Sequence, residues 1–150
     1  MSKKYQLKWG ILATGGIALS FGRDLSVDPK TRDRTDIEHV VVAAASSSSA
    51  DRAKEYLKEV NAPDSAKAYG SYKELVEDSN VDIVYVATPH SHHYQNVMLC
   101  LNAGKNVLCE KALTANARQT ELLIQKAREK NLFLMEAVSR HVAHAFVAFV

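Results

Sequence analysis

The chain has 150 residues, enough for one domain with its own core, and its 47% hydrophobic and 24% charged residues are typical of a soluble globular protein. A net charge of +2, with lysines and arginines scattered among acids, argues against a nucleic-acid partner. No apolar run approaches the roughly 20 residues that cross a bilayer, and residues 1–5 have no apolar signal core behind them, so a cytoplasmic setting without membrane attachment is expected. Cys100 and Cys109 sit in apolar stretches, with neither metal-like spacing nor a disulfide framework.

Strand-like and helix-like stretches alternate from the start. Residues 7–13 read as a strand and 16–27 as a helix that closes at Asp28-Pro29. Residues 30–36 form a polar surface loop. Residues 37–45 contain Val40-Val41-Val42, an apolar run expected of a strand covered on both faces. A helix follows over 50–60, capped by Ser48 or Ser49, with capping-box spacing between Ser48 and Asp51. Residues 66–69 make a short strand, and Ser71 with Glu74 opens a brief helix. A strand over 81–86 is broken by Thr88-Pro89, and a helix over 91–103 ends at Gly104. Strand 107–109, helix 114–130 and strand 132–135 complete the alternation.

This order predicts an α/β fold: a doubly wound, mostly parallel sheet of the Rossmann type with helices on both faces. Ligands bind such sheets at the carboxyl ends of the strands. The positions of interest are therefore 13–18, 46–52, 87–93 and 110–112.

At the first strand end stands Ala13-Thr14-Gly15-Gly16-Ile17-Ala18, placed where a dinucleotide fingerprint G-x-G-x-x-G/A belongs. Gly15 fits the glycine that lets a pyrophosphate approach backbone N–H groups at a helix N-terminus, and Ala18 fits the close-packing position. Ala13 departs from the strict pattern. Glycine-rich turns often only turn the chain, but the place after the first strand favours dinucleotide binding. The second strand ends in Ser46-Ser47-Ser48-Ser49, where NAD-selective enzymes usually carry an acid for the ribose 2′-hydroxyl. Without that acid a 2′-phosphate is not repelled, and Ser47, Ser48 and Arg52 can hold it, which favours NADP. The competing reading makes the serines turn and cap residues. His90, His92 and His93 invite a metal, yet no Cys, Asp or Glu lies nearby in sequence, and no metal is expected. Glu110-Lys111 follows the fifth strand. An ammonium there can assist a substrate hydroxyl, with Glu110 orienting it; the alternative is a surface ion pair.

Together, Gly10 to Ala18, Ala87-Thr88-Pro89-His90 with His93, and Ala103 to Lys111 resemble the glucose–fructose oxidoreductase and inositol dehydrogenase (Gfo/Idh/MocA) family over residues 8–138. Residues 68–72 and 132–137 look most like its dihydrodiol and D-xylose dehydrogenase branch. The resemblance implies an NADP-dependent oxidoreductase acting on a small sugar or diol, with homodimers among full-length relatives. It makes Lys111 the catalytic residue near nicotinamide and substrate. It also matches Gly15 to the phosphate-loop glycine and Thr88, Pro89 and His93 to the segment beneath the nicotinamide ribose. Together with the strand-end readings, the residues expected to bind the cofactor are Ala13, Thr14, Gly15, Gly16, Ile17, Ser47, Ser48, Arg52, Thr88, Pro89, His90, His93, Glu110 and Lys111.

Three departures stand out. Ala112 replaces the proline of the family's Glu-Lys-Pro motif, Ser139-Arg140-His141 stands where the branch usually has a tryptophan-containing segment, and the family's second, substrate domain does not follow. The expected organisation is a dinucleotide-binding domain over 1–138 and an apolar tail, 139–150, produced by truncation. The alternatives are a nucleotide-binding module without chemistry and an inactive fragment.

Overall fold

The apolar runs pair side by side into one sheet, and the computed structural model that shows it describes residues 4–32 and 36–138. Six strands and five α-helices alternate among them: β1 (Tyr5–Leu12), α1 (Gly16–Leu25), β2 (Ile37–Ala45), α2 (Ala50–Glu59), β3 (Lys67–Tyr69), α3 (Tyr72–Glu77), β4 (Ile83–Val86), α4 (His93–Asn102), β5 (Asn106–Glu110), α5 (Ala117–Glu129) and β6 (Leu134–Ala137). Part of the loop expected over 30–36 and the whole apolar tail lie outside the described residues.

All five strand pairings are parallel, in the order β3-β2-β1-β4-β5-β6. The sheet is thus wholly parallel among the described residues, where a mostly parallel one was expected. Strand order reverses between β1 and β4, and ligands bind such sheets at that point.

Alternation along β4 divides the core. Val84 and Val86 face Leu75 and Val76 of α3, Val97 and Leu101 of α4, and Leu123 of α5. Ile83 and Tyr85 face Ala18 of α1 and Tyr56 and Leu57 of α2. The first helix packs tightly on the second: a Cβ on Gly22 would collide with the Tyr56 hydroxyl and lie 2.7 Å from Val60 Cγ1. Tyr56 donates to Ala18 O at 2.8 Å, which fixes the two helices that flank the cleft described below.

Local chemistry sets the ends of the elements. Ser49, not Ser48, caps α2, accepting from Asp51 N at 3.1 Å. Ser71 caps α3 and also donates to Glu74 Oε2 at 2.7 Å. Gly104, at φ +76°, closes α4 with its N–H on Leu101 O, and Lys105 N reaches Cys100 O, the Schellman pattern. Several expected boundaries shift. The last helix starts at Ala117 rather than Thr114, because Asn116 caps it by accepting from Gln119 N at 3.0 Å. The last strand covers Leu134–Ala137 rather than 132–135, because Leu132 N still bonds Ala127 O at the helix end. The strand expected over 81–86 begins at Ile83, and a single 3₁₀ turn, His90–His92, precedes α4.

Asp78, between α3 and β4, is the buried acid of the frame. Burial pushes its carboxyl up. The Asn80 N–H, the Tyr69 hydroxyl and the Lys67 ammonium outweigh that and hold it below the usual carboxylate range. In return Tyr69 is pushed up to about 12, by burial first and then by its bond to Asp78. A carboxyl with a lowered folded pKa stabilises the fold fully above its unfolded value, about pH 4, and loses that contribution as pH falls through the folded value. Asp78→Asn should therefore lower stability by about 1–3 kcal/mol at pH 7. In urea melts the gap to the parent should narrow progressively below about pH 4; a gap of constant size would contradict this assignment.

Candidate functional site

Three strand ends meet at the reversal point. Leu12 pairs with both Ala45 and Val86, so β1, β2 and β4 finish level. The bonds Ala13 N to Ala45 O (3.1 Å) and Ala87 N to Leu12 O (2.9 Å) carry the pairing one step further. Above these ends opens a cleft of about 680 Å³. Of the positions singled out from sequence, Ala13, Thr14, Gly15, Gly16, Ile17, Ser47, Ser48, Arg52, Thr88 and Pro89 all line it.

The floor is the turn into α1. Ala13 has φ +80°, the left-handed region that favours glycine, so the position departing from the fingerprint in residue type adopts its backbone conformation. Gly15 is the N-cap of α1 and has no side chain to cap it. No acid stands in the first turn, and a Cβ built on Gly15 or Gly16 meets nothing within 4 Å. The first-turn amides therefore open into the cleft at the positive end of the helix dipole, a cradle suited to a phosphate.

The serines divide between the two readings made of them. Ser46 is buried and its N–H donates to Tyr69 O, while Ser49 is the cap of α2. Ser47 and Ser48 are exposed on the cleft wall beside Arg52. Asp51, the first acid after β2, does not line the cleft; its carboxylate lies 3.3 Å from Lys54 Nζ.

Sequence reasoning missed several lining residues. Glu55, Tyr56 and Glu59 follow Arg52 at helical spacing, so one face of α2 forms the wall opposite α1, and that spacing was a readable signal. Glu59 is paired with Arg23 of α1 at 3.6 Å. Tyr72 arrives from the start of α3. It had no linear signal, because β2–β3 pairing brings it there.

His90, His93, Glu110 and Lys111 do not line this cleft; they build the adjoining rim past β4 and β5. His93 is 1% exposed, with Nε2 2.9 Å from Thr88 O and Nδ1 2.7 Å from Ala112 O. Its ring thus staples the β4 exit to the loop after β5, with both ring nitrogens facing backbone carbonyls. Thr88 is further held by Asn96 Nδ2 at 3.2 Å, and His90 Nε2 lies 3.1 Å from Thr114 O. Glu136 of β6 accepts from Leu113 N at 2.8 Å. The loop that lacks the family proline at Ala112, where the Lys111–Ala112 peptide bond is cis, is thus pinned from three elements. Lys111 is exposed at its start. Cys109, beneath, is pushed up to about 12 by burial, then by Glu110 and Glu136, and is an inert thiol. Among the described residues no group of three or more His, Cys, Asp or Glu is arranged to hold a metal, and no helix is long and apolar enough to cross a membrane.

The parallel sheet order, the glycine turn and the uncapped helix above the reversal point define a dinucleotide-binding Rossmann domain. The sequence profile of the Gfo/Idh/MocA oxidoreductases, described as an oxidoreductase family with an NAD-binding Rossmann fold, matches residues 7–138, and the chain belongs to that family. It is 61% identical over 134 residues to a D-xylose 1-dehydrogenase (NADP(+)) of Hypocrea jecorina, covering 89% of this chain and 34% of the relative. It is 46% identical over 132 residues to a trans-1,2-dihydrobenzene-1,2-diol dehydrogenase of Mus musculus, covering 88% and 37%. Among solved structures, a Klebsiella pneumoniae NAD binding oxidoreductase matches with a TM-score of 0.79 at 28% identity, covering 88% of this chain and 34% of that one. The 3-ketoreductase KijD10 of Actinomadura kijaniata, in complex with NADP, matches with a TM-score of 0.75 at 32% identity, covering 87% and 38%. The chain spans about a third of the length of these relatives.

Replacing His93 by Phe keeps an aromatic ring but removes the ring nitrogens that face the Thr88 and Ala112 carbonyls. The expected loss is about 2–4 kcal/mol in a denaturant melt, with faster amide exchange in both loops; a variant as stable as the parent would contradict the stapling role.

Proposed function

We propose that this chain forms the cofactor-holding part of an NADP-dependent oxidoreductase acting on the hydroxyl of a small sugar or diol. The observation that carries the reading is the cleft itself: an uncapped helix N-terminus on one side, and Ser47, Ser48 and Arg52, with no acid from the end of β2, on the other. The relatives named for D-xylose (NADP(+)) and dihydrobenzene diol oxidation support both the cofactor and the substrate class.

The residues fit such a cofactor chemically. Amide N–H groups around Gly15 and Gly16 donate to the pyrophosphate. Ser47 and Ser48 donate to a ribose 2′-phosphate, and the Arg52 guanidinium binds it with a charge-assisted bond. Thr88 and Pro89 bound the far end of the cleft, beside the rim that carries Lys111. Bound NADP supplies the hydride acceptor. Lys111 would donate a hydrogen bond to the reacting hydroxyl oxygen and favour its negative charge as the proton passes to a base in the remainder of the substrate pocket. We place the remainder of the substrate pocket, and the dimer contacts of full-length relatives, in a second domain beyond this one. With D-xylose and NADP the 150-residue chain should accordingly show little turnover.

The 150-residue chain should bind 2′,5′-ADP at least about tenfold more tightly than 5′-ADP, the worth of one or two charge-assisted bonds. Ser47→Asp should abolish that preference by bringing a carboxylate to the phosphate site. Calorimetric titration checks both; equal affinity for the two nucleotides in the parent chain would contradict the NADP assignment.

A further inference from the structure

Tyr85 is the polar residue on the α1-facing side of β4, and it is 1% exposed. Its ring is stacked on Phe21 of α1, with centroids 3.8 Å apart and planes at 20°. Trp9 meets Phe21 edge-on at 5.2 Å. A phenylalanine at position 85 would fill the same space without burying a hydroxyl, so the hydroxyl calls for a reason.

Register supplies it. Tyr85 pairs with Leu108, and Glu110 lies two residues further along β5, on the same face of the sheet. The phenol reaches across and donates to Glu110 Oε1 at 2.5 Å. Glu110 Oε2 in turn accepts from the Lys111 backbone N–H at 3.3 Å. Both carboxylate oxygens are thus engaged, one by the core of the sheet and the other by the peptide that carries Lys111. Burial, and then Glu110 itself, push the phenol well above the ordinary tyrosine range, so it remains a donor at working pH.

We infer that Tyr85 is a positioning residue: through Glu110 it fixes the backbone from which Lys111 leaves β5, and through Phe21 it ties that rim to the helix that cradles the pyrophosphate. The inference rests on the proposed NADP site and adds to it a residue that touches neither cofactor nor substrate. A merely structural tyrosine would affect stability alone. A positioning tyrosine affects the nicotinamide end of the cleft while sparing the 2′-phosphate end, which is built from Ser47, Ser48 and Arg52.

The experiment compares the parent chain with Tyr85→Phe, Glu110→Leu and the double variant. It measures affinity for 2′,5′-ADP, affinity for NADPH, and the emission of bound NADPH. Tyr85→Phe should hold 2′,5′-ADP within about twofold of the parent and bind NADPH about three- to tenfold more weakly, with altered emission. The double variant should be no worse than Glu110→Leu alone, since each change removes one end of the same bond. An unchanged NADPH to 2′,5′-ADP affinity ratio in Tyr85→Phe, or independent and additive effects in the double variant, would overturn the inference and leave the NADP site standing. Should Tyr85→Phe fail to fold, Glu110→Leu removes the acceptor at the other end of the bond, and an unchanged ratio there overturns the inference equally. A parent chain that binds neither nucleotide would remove the NADP site and the inference together.

Discussion

The parallel pairing of β1 with β2 on one side and β4 on the other is the constraint on which everything else depends. Because Leu12 stands level with both Ala45 and Val86, three chain segments leave the sheet at one height and must diverge. The turn into α1, the serine run and the Thr88-Pro89 exit are therefore neighbours although far apart in sequence. A parallel ladder also buries both faces, which explains why its strands are near-continuous apolar runs. Tight packing of α1 on α2 at Gly22 and Tyr56 then fixes the two walls of the cleft.

The electrostatic character of the site follows from what is missing as much as from what is present. A glycine N-cap leaves first-turn amides open, whereas serine caps α2 and α3 and asparagine caps α5. The acid that would repel a 2′-phosphate is absent from the end of β2, and the next one, Asp51, turns to Lys54. Glu59 is turned to Arg23. Arg52 is the cation on this wall, and the serines beside it can donate without imposing charge.

Most of the fold was legible because its signals are local: apolar runs for strands, Ser71 and Gly104 for helix ends, Gly15-Gly16 for the turn into α1. The errors fell where local signals are ambiguous. The run Leu132-Phe133-Leu134-Met135 gives no phase, so the strand was set two residues early, while the chain was still closing α5. Thr114 looked like a helix start, yet its hydroxyl is bonded to Asn116 O and faces Thr120, and Asn116 is the true cap. For the site, the residues around the glycine turn and the serine run were readable. The role of His93 as a staple, the bond from Glu136 to the Lys111 loop and the Tyr85–Glu110 pair were not. Each depends on which strands become neighbours, and β4–β5 and β5–β6 pairing is visible only in the fold.

The central claim is that amides at the start of α1 hold the cofactor's pyrophosphate while the end of β2 holds its 2′-phosphate. The most direct measurement is residue-resolved amide chemical-shift mapping of the 150-residue chain during titration with NADP. The account predicts saturable shifts concentrated at Gly15, Gly16, Ile17, Ser47, Ser48 and Arg52. Shifts confined to other elements, or a folded chain whose spectrum does not respond to NADP, would contradict it.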